Sequence, residues 1–382
     1  MTKARKRRSG GTSMRKHLAI AALSLATAVT VSVAAPATAA RADPVQQGLE
    51  RLLRSNRAPG ALASNRDEMD GRHRLYTVGE GDRDTRAAVP RDGQVRIGSV
   101  TKTFTAVVVL QLVGEGKIRL DAPVDTYLPN VVHGKGIDGR RITVRQLLQH
   151  TSGLPDYEDK VTNDILERRY LSPRDALDVA LGREAVSAPG AKWGYSSTNY
   201  LVAGLVVQKA TGRPLAQEID RRIIQRIGLR HTYFPAPGET TIRERHPQGY
   251  RQDYPGAPLR NVTEIDPSAS WAGGAMVSTN SDLSGFFSAL LDGRLLAKAQ
   301  LDQMRTTVPM GKAGYNAGLG IISTPLSCGR VAWAHSGAIP GYGTWAAATS
   351  DGHAASVTMT LEPKASEAVG HLEKVVDTAL CH

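Results

Sequence analysis

Cysteine is scarce in this sequence of 382 residues, in which only Cys328 and Cys381 occur. Two thiols cannot supply a thiolate zinc site, and the ten histidines form no His-Glu-x-x-His pattern. The sequence therefore predicts no metal and no cofactor. Two cysteines permit a single intrachain disulfide, and the alternative is a pair of free buried thiols.

Two widespread enzyme motifs are also missing. No serine lies in a Gly-x-Ser-x-Gly elbow, which argues against an α/β-hydrolase. Gly79-x-Gly81 lacks the third glycine of a dinucleotide-binding loop. Any serine chemistry must therefore be built on another pattern.

Acidic residues are absent from the first 39 positions, which hold seven Lys or Arg of a chain whose net charge is +12. The rest of the chain therefore carries about +5, with its basic residues scattered among acidic ones. This distribution argues against a nucleic-acid partner. The remaining composition, with 41% hydrophobic and 22% charged residues, is typical of a globular protein.

Long apolar runs are absent except for residues 18–33, which follow the basic start and precede the small-x-small sequence Ala37-Thr38-Ala39. This order is typical of a secretory signal peptide, which we place at residues 1–39, and cleavage after Ala40 or Ala42 fits nearly as well. A retained membrane anchor is the alternative. We expect a secreted protein, with attachment to the cell envelope also open, and no permanent membrane span.

The periodicity of the remaining chain indicates an α+β fold. Short strands of an antiparallel sheet are predicted at residues 60–64, 73–78 and 94–97, before a central region that is mostly helical and rich in Pro and Gly. Strand patterns return after it at residues 317–323, 331–335, 345–349 and 353–361. We expect one domain at residues 40–382, with a sheet subdomain at about 45–120 and 279–382 and a helical subdomain at about 121–278. The apolar segment 103–113 contains three consecutive valines, but its length favours a buried helix over a strand.

Ser99 and Lys102 precede that segment at a spacing of three residues. If Ser99 opens the helix, Lys102 lies one turn later on the same face, where its amine reaches the Ser99 hydroxyl. A serine becomes nucleophilic when a base takes its proton, and the free N–H groups of a first helical turn favour negative charge on its oxygen. Ser13 and Lys16 have the same spacing, so a Ser and a Lys three residues apart are weak evidence of a site on their own.

Two further stretches supply candidate partners for Ser99. Tyr195-Ser196-Ser197 lies in a loop before a predicted helix, and His335-Ser336-Gly337 lies at the end of a predicted strand. Taken singly, such a tyrosine or histidine is more often structural. The three patterns occur together and in order, and this favours one shared site.

With these motifs, the chain resembles the serine penicillin-recognising enzymes, which include class C β-lactamases, secreted D-alanyl-D-alanine carboxypeptidases and related esterases. The resemblance extends over about residues 59–381 and includes Leu147–Leu154, Tyr195–Tyr200, Trp271–Gly274 and Leu326–Gly329. It implies the β-lactamase/transpeptidase-like fold, an antiparallel sheet flanked by helices with an inserted helical region. It also implies that Cys328 pairs with Cys381.

The resemblance also assigns roles at the site. Ser99 is the nucleophile, Lys102 accepts its proton, and Tyr195 accepts and returns protons, although which of the two deprotonates the serine stays open. The backbone N–H groups of Ser99 and Ala338 bind the oxyanion. Five other residues are assigned to substrate binding: Ser197, Trp271, His335, Ser336 and Gly337. For Trp271, a place in the core is an equal alternative.

Three positions depart from the carboxypeptidase pattern. Ser197 stands where many relatives have Asn, and Ala338 and Ile322 stand where such enzymes carry a Thr and an Arg that hold the carboxylate of the substrate. We therefore expect an exported serine acyl hydrolase, D-alanyl-D-alanine carboxypeptidase-like, that acts on small peptide or acyl substrates such as peptidoglycan stem peptides and reacts with β-lactams. An esterase or D-stereospecific amidohydrolase on the same site is the first alternative, and a non-catalytic β-lactam or muropeptide sensor is the second.

Overall fold

The computed structural model describes residues 43–66, 71–161, 165, 167, 169–364 and 366–382. The predicted signal peptide at residues 1–39 lies outside these residues. None of the described helices has the length and apolar character that a membrane span requires.

Fourteen strands occur among the described residues, and eight of them form one antiparallel sheet in the order β2-β1-β14-β13-β12-β11-β10-β9. The strands are β1 Gly60–Arg66, β2 His73–Gly79, β3 Val95–Arg96, β4 His133–Gly134, β5 Ile137–Asp138, β6 Tyr250–Arg251, β7 Arg260–Asn261, β8 Val277–Ser278, β9 Val308–Pro309, β10 Asn316–Ala317, β11 Ile322–Pro325, β12 Val331–Ile339, β13 Tyr342–Thr349 and β14 Ala354–Met359. Because β1 pairs with β14, the sheet joins both ends of the described chain, as the sequence predicted.

The helices are α1 Pro44–Asn56, α2 Thr101–Gly114, α3 Val144–Leu148, α4 Pro173–Leu181, α5 Thr198–Thr211, α6 Leu215–Ile219, α7 Gln225–Ile227, α8 Trp271–Gly274, α9 Asn280–Leu291, α10 Lys298–Met304 and α11 Ser366–Cys381. A π-helical segment, Asp220–Ile224, joins α6 to α7, so this stretch is continuous. Helices α3 to α8 all lie in the predicted helical region. The structure thus has the predicted fold class, although the proposed subdomain boundaries stay a prediction.

Strand β13 is buried along its whole length because helices cover both faces of the sheet. Ala346 and Ala348 belong to the large core that includes α2 and α9, whereas Trp345 and Ala347 belong to a second core with α1 and α11. Alternation along the strand sends successive side chains to opposite faces. The small alanines allow helices to approach the sheet closely.

The segment behind Ser99 is the helix α2, buried on all sides over most of its length. Each of its three valines costs roughly 0.5 kcal/mol in helix propensity relative to alanine. Burial of each valine contributes about 1.5–3 kcal/mol. Burial therefore outweighs local propensity.

Three details differ from the sequence predictions. Residues 94–97 were expected as a strand of the sheet, but β3 pairs only with β8, in a separate two-stranded ribbon. The strand expected at 317–323 is broken into β10 and β11, since the chain turns between them and the Gly318 N–H bonds back to the Ile321 carbonyl. His335-Ser336-Gly337 lies inside β12 rather than at its end, because pairing with β13 continues to Ile339.

A disulfide joins Cys328, in the turn between β11 and β12, to Cys381 at the end of α11. It closes a loop with a sequence separation of 53 residues. The bond fastens the C-terminal helix to the same hairpin that carries His335.

Candidate active site

A tight turn at the start of α2 positions Ser99. Residues Gly98–Val100 form one turn of 3-10 helix that leads directly into α2. The Ile97 N–H bonds to the Met276 carbonyl, which fixes the turn against the strand β8 segment. Gly98 has a φ of +50°, a left-handed conformation that favours glycine. Ser99 is half-buried at the surface end of this turn.

Lys102 is fully buried and has three oxygen partners. Its Nζ lies 2.9 Å from Ser99 Oγ, 2.9 Å from the Gly273 carbonyl oxygen and 3.3 Å from Ser197 Oγ. An ammonium group donates to all three. A neutral amine donates to Gly273 and Ser197 and accepts from Ser99, so the same geometry suits a base that takes the serine proton.

Tyr195, which is 96 residues from Ser99 in the sequence, also contacts the Ser99 hydroxyl. Its hydroxyl oxygen lies 2.8 Å from Ser99 Oγ, and its ring centroid lies 5.1 Å from Lys102 Nζ. The side chain is partly exposed, whereas Lys102 is not. The structure therefore brings the three residues assigned to catalysis within hydrogen-bond reach of one oxygen atom.

His150 lies at the site, where the sequence, with this residue between a helix and a turn, predicts a structural role. Its ring stacks on that of Tyr195 with centroids 4.5 Å apart, and its Nδ1 accepts from the Ser196 backbone N–H at 3.2 Å. Its backbone oxygen accepts from the Gly194 N–H. His150 thus holds the Tyr195 loop at both ends. The only sequence signal was its place after α3, beside a turn.

Ser197 contacts Lys102 rather than an open cleft. It is buried, and it lies near the half-buried carboxyl of Glu158, whose pKa it helps to lower. Burial raises the pKa of Glu158 and of the neighbouring Asp156, while the positive charge of Lys102 opposes both shifts. Lys102 forms none of the ion pairs found among the described residues, so these acids act on it at longer range.

Strand β12 lies directly against the Ser99 turn. A Cβ atom on Gly337 would stand 2.0 Å from the Ile97 carbonyl oxygen and 3.2 Å from the Ser99 nitrogen. A Cβ on Gly98 would stand 2.9 Å from the Ala338 nitrogen. The backbone nitrogens of Ser99 and Ala338 therefore border one small region, as an oxyanion site requires.

His335 is buried in β12, and its Nδ1 donates to the Ser336 carbonyl at 2.6 Å. Burial and the nearby charge of Lys102 lower the pKa of His335 to about 4. The pKa of His150 is also lowered, by burial, then by Lys102 and by His335. Both imidazoles are therefore neutral near pH 7.

This burial predicts a pH-dependent stability. An unfolded histidine titrates at 6.5 and His335 in the folded protein at about 4, so the unfolded state binds the proton more readily. The stabilisation that comes from keeping His335 neutral is fully present above pH 6.5, and it is lost as the pH falls towards 4. We expect the His335 contribution to this loss to be about 3 kcal/mol in the free energy of unfolding.

Urea unfolding between pH 7 and pH 4 checks this expectation. The decrease in the free energy of unfolding between pH 7 and pH 4 should be smaller by that amount in His335→Gln than in the wild type. In His133→Gln it should equal the wild-type decrease, since His133 is exposed. Equal pH dependence in the wild type and His335→Gln would contradict it.

The Trp271 side chain lines a different cavity from the one beside Tyr195. Its ring packs against Gly204 and lines an apolar cavity of about 480 Å³, which also includes Pro214 and Phe234. Among the described residues, this cavity shares no lining residue with the two cavities at Tyr195, which have volumes of about 20 and 410 Å³. The Trp271 ring therefore lines a different cavity from the Tyr195 side chain, while α8 supplies the Gly273 carbonyl to Lys102, and a role of Trp271 in substrate binding stays a prediction.

Comparison with known proteins gives one family. The family model described as Beta-lactamase matches residues 45–379. Esterase EstB of Burkholderia gladioli is 37% identical over 218 residues, which cover 53% of this chain and 53% of the esterase. The chain spans about half the length of the curated relatives it matches.

Solved structures give longer matches. A D-stereospecific amidohydrolase from Streptomyces sp. is 39% identical with a TM-score of 0.79, covering 85% of this chain and 96% of that one. The D-amino acid amidase from Ochrobactrum anthropi SV3, complexed with D-phenylalanine, is 25% identical with a TM-score of 0.78, covering 88% and 96%.

Proposed function

This chain belongs to the beta-lactamase family of serine hydrolases, and from that premise we propose that it is an exported acyl hydrolase that works through an ester on Ser99. One observation carries the proposal: the Ser99 oxygen lies 2.9 Å from the Lys102 amine and 2.8 Å from the Tyr195 hydroxyl. A nucleophile with two proton-transfer groups in reach is what acyl transfer needs.

In the proposed mechanism, Lys102 takes the Ser99 proton as Ser99 Oγ attacks the acyl carbon. The N–H groups of Ser99 and Ala338 hold the oxyanion, a contribution of about 3–4 kcal/mol for each such donor. Tyr195 returns a proton to the leaving group. Water then attacks the ester, and the same groups work in reverse.

The substrate we propose is an amide or ester of a D-configured acyl group, with β-lactams as acylating ligands. The esterase and the D-stereospecific amidohydrolase among the relatives support this choice. So does the half-buried Ile322, which offers no cation to a substrate carboxylate. We rank a D-alanyl-D-alanine carboxypeptidase second for that reason, and a peptidoglycan stem peptide would be its substrate.

Export is proposed from the basic, apolar and small-residue order of residues 1–39. The disulfide Cys328–Cys381 suits an oxidising compartment. The N-terminal residue of protein recovered from the culture medium tests this proposal. Recovery of membrane-bound protein that still carries residues 1–39 would contradict it.

Intact-mass measurement after exposure to benzylpenicillin tests the function. We expect one adduct per chain, located by digestion on the peptide that contains Ser99. We also expect a burst of p-nitrophenol from p-nitrophenyl acetate as the acyl-enzyme accumulates. No adduct together with no ester turnover, or an adduct on another residue, would overturn the proposal.

A further inference from the structure

The cavity beside Trp271 has the size and the wall of a small-molecule site. Its volume is about 480 Å³, within the range of cavities that hold drug-sized ligands. Three aromatic side chains line it, those of Tyr170, Phe234 and Trp271. Five prolines line it as well: Pro173, Pro214, Pro235, Pro237 and Pro267. Because proline has a fixed φ and no N–H, this wall is rigid and offers few donors.

The polar groups at this cavity favour an uncharged ligand with a hydrogen-bond acceptor. Among the described residues that line it, Arg243 alone is charged near pH 7, and its Nε and Nη2 bond to the Glu239 carboxylate at 2.6 and 2.9 Å. A ligand carboxylate would have to displace Glu239, and a ligand cation would find no carboxylate in the described lining. Gln208 accepts from the Leu215 N–H through Oε1, which leaves its NH2 group to donate.

One short segment forms both a wall of this cavity and part of the catalytic site. Trp271 and Ala275 line the cavity, and the Ala275 N–H bonds to the Trp271 carbonyl, so the segment is a single helical turn. Between them, the Gly273 carbonyl accepts from Lys102 Nζ at 2.9 Å. A displacement of Trp271 therefore reaches the amine of Lys102 through two residues of backbone.

The backbone of Trp271 is strained. Its φ of +26° lies in the left-handed region, which a residue with a Cβ atom seldom adopts. The ring packs tightly on α5, since a Cβ on Gly204 would stand only 2.8 Å from a ring carbon of Trp271. The ring also borders the cavity, and a ligand there adds dispersion contacts that hold the ring, and with it the strained backbone, in place.

We propose that this cavity is an effector site for an uncharged aromatic molecule that carries a hydrogen-bond acceptor. Its occupant speeds acylation because it holds α8, and thereby the Gly273 carbonyl, in the position that orients the Lys102 amine towards Ser99. The rate effect rests on the proposed acyl transfer at Ser99, whereas the binding does not.

Prodan, an uncharged naphthyl ketone whose emission shifts to the blue in apolar surroundings, is the probe. We expect saturable binding of one molecule per chain. Protein already acylated by benzylpenicillin should bind it equally well, because the cavity shares no described lining residue with the two cavities at Tyr195. 2-Acetylnaphthalene and 2-naphthoate match in size and differ in charge, and the ketone should displace prodan at a concentration at least about tenfold lower.

Occupancy should also change the reaction rate. At a saturating concentration of 2-acetylnaphthalene, the p-nitrophenol burst from p-nitrophenyl acetate should become about two- to tenfold faster. Ala216→Phe adds a phenyl group to the cavity from α6 and should abolish both prodan binding and the rate effect. Lys209→Phe adds the same ring at an exposed position of α5 that does not line the cavity, and it should retain both.

The wild-type measurements stand even if Ala216→Phe fails to fold. The effector site would be overturned by a lack of saturable binding, by equal displacement with the ketone and the carboxylate, or by prodan binding that is lost on acylation or retained in folded Ala216→Phe. A burst rate that the ketone leaves unchanged or lowers would also overturn it. All these results leave the acyl-enzyme proposal intact. Absence of both the burst and the penicillin adduct would instead overturn the proposed function, and the rate effect with it.

Discussion

Lys102→Met is expected to lower the rate of Ser99 acylation by roughly a thousandfold or more, close to the level of Ser99→Ala. Lys102 Nζ is 2.9 Å from Ser99 Oγ and is fully buried, so bulk water cannot replace it as the base. Methionine keeps the apolar stem and removes the amine, which limits the damage to packing.

Burst kinetics with p-nitrophenyl acetate and the intact-mass adduct of benzylpenicillin give the measurement. Lys298→Met is the matched control, because this lysine is exposed on α10, where it forms an ion pair with Asp302. Circular dichroism should show a folded protein for both variants. Near-normal acylation in folded Lys102→Met would leave Tyr195 as the base and sink the role proposed for the lysine.

The Ser99–Lys102 geometry was predictable because it is local. Residues three apart on a helix share a face whatever surrounds them, and the apolar segment after Ser99 was long enough to indicate a helix. The structure places both side chains accordingly, on the turn and first residues of α2. Tyr195 was predictable only through the resemblance, since 96 residues separate it from Ser99.

The surroundings of Lys102 could not be read from the sequence. Its other partners, Ser197 and Gly273, come from different parts of the chain, and neither a serine in a loop nor a glycine carbonyl carries a pattern. The resemblance assigned Ser197 to substrate binding, and in the structure its hydroxyl bonds to the Lys102 amine. Such contacts depend on how α2, α5 and α8 pack, which periodicity does not specify.

The structural settings of His335 and His150 could not be predicted from the sequence either. The predicted end of β12 at His335 was wrong because strand length depends on the partner strand, and pairing with β13 continues to Ile339. His150 follows a short helix and has a φ of +58°, a backbone conformation that no sequence motif predicts. Its stacking on Tyr195 follows from the tertiary fold alone.

Gly337→Ala has the second largest expected effect, because β12 touches the Ser99 turn at this residue. The added Cβ would stand 2.0 Å from the Ile97 carbonyl oxygen, a distance at which the backbone must move. Since the contact is with main-chain atoms, no side-chain rotation relieves it. Moving β12 away takes the Ala338 N–H from its place beside the Ser99 nitrogen.

We therefore expect Gly337→Ala to slow acylation about 100- to 1000-fold, the usual effect of losing one oxyanion donor. Overpacking should also lower the free energy of unfolding by roughly 1–3 kcal/mol. The control is Gly285→Ala in the middle of α9, where an added Cβ meets nothing within 4 Å. Alanine there should preserve activity and raise stability by about 0.5–1 kcal/mol, as expected for a helix interior. Acylation is measured with p-nitrophenyl acetate and stability by urea unfolding of both variants. If folded Gly337→Ala acylates at the wild-type rate, the oxyanion does not lie between β12 and the Ser99 turn.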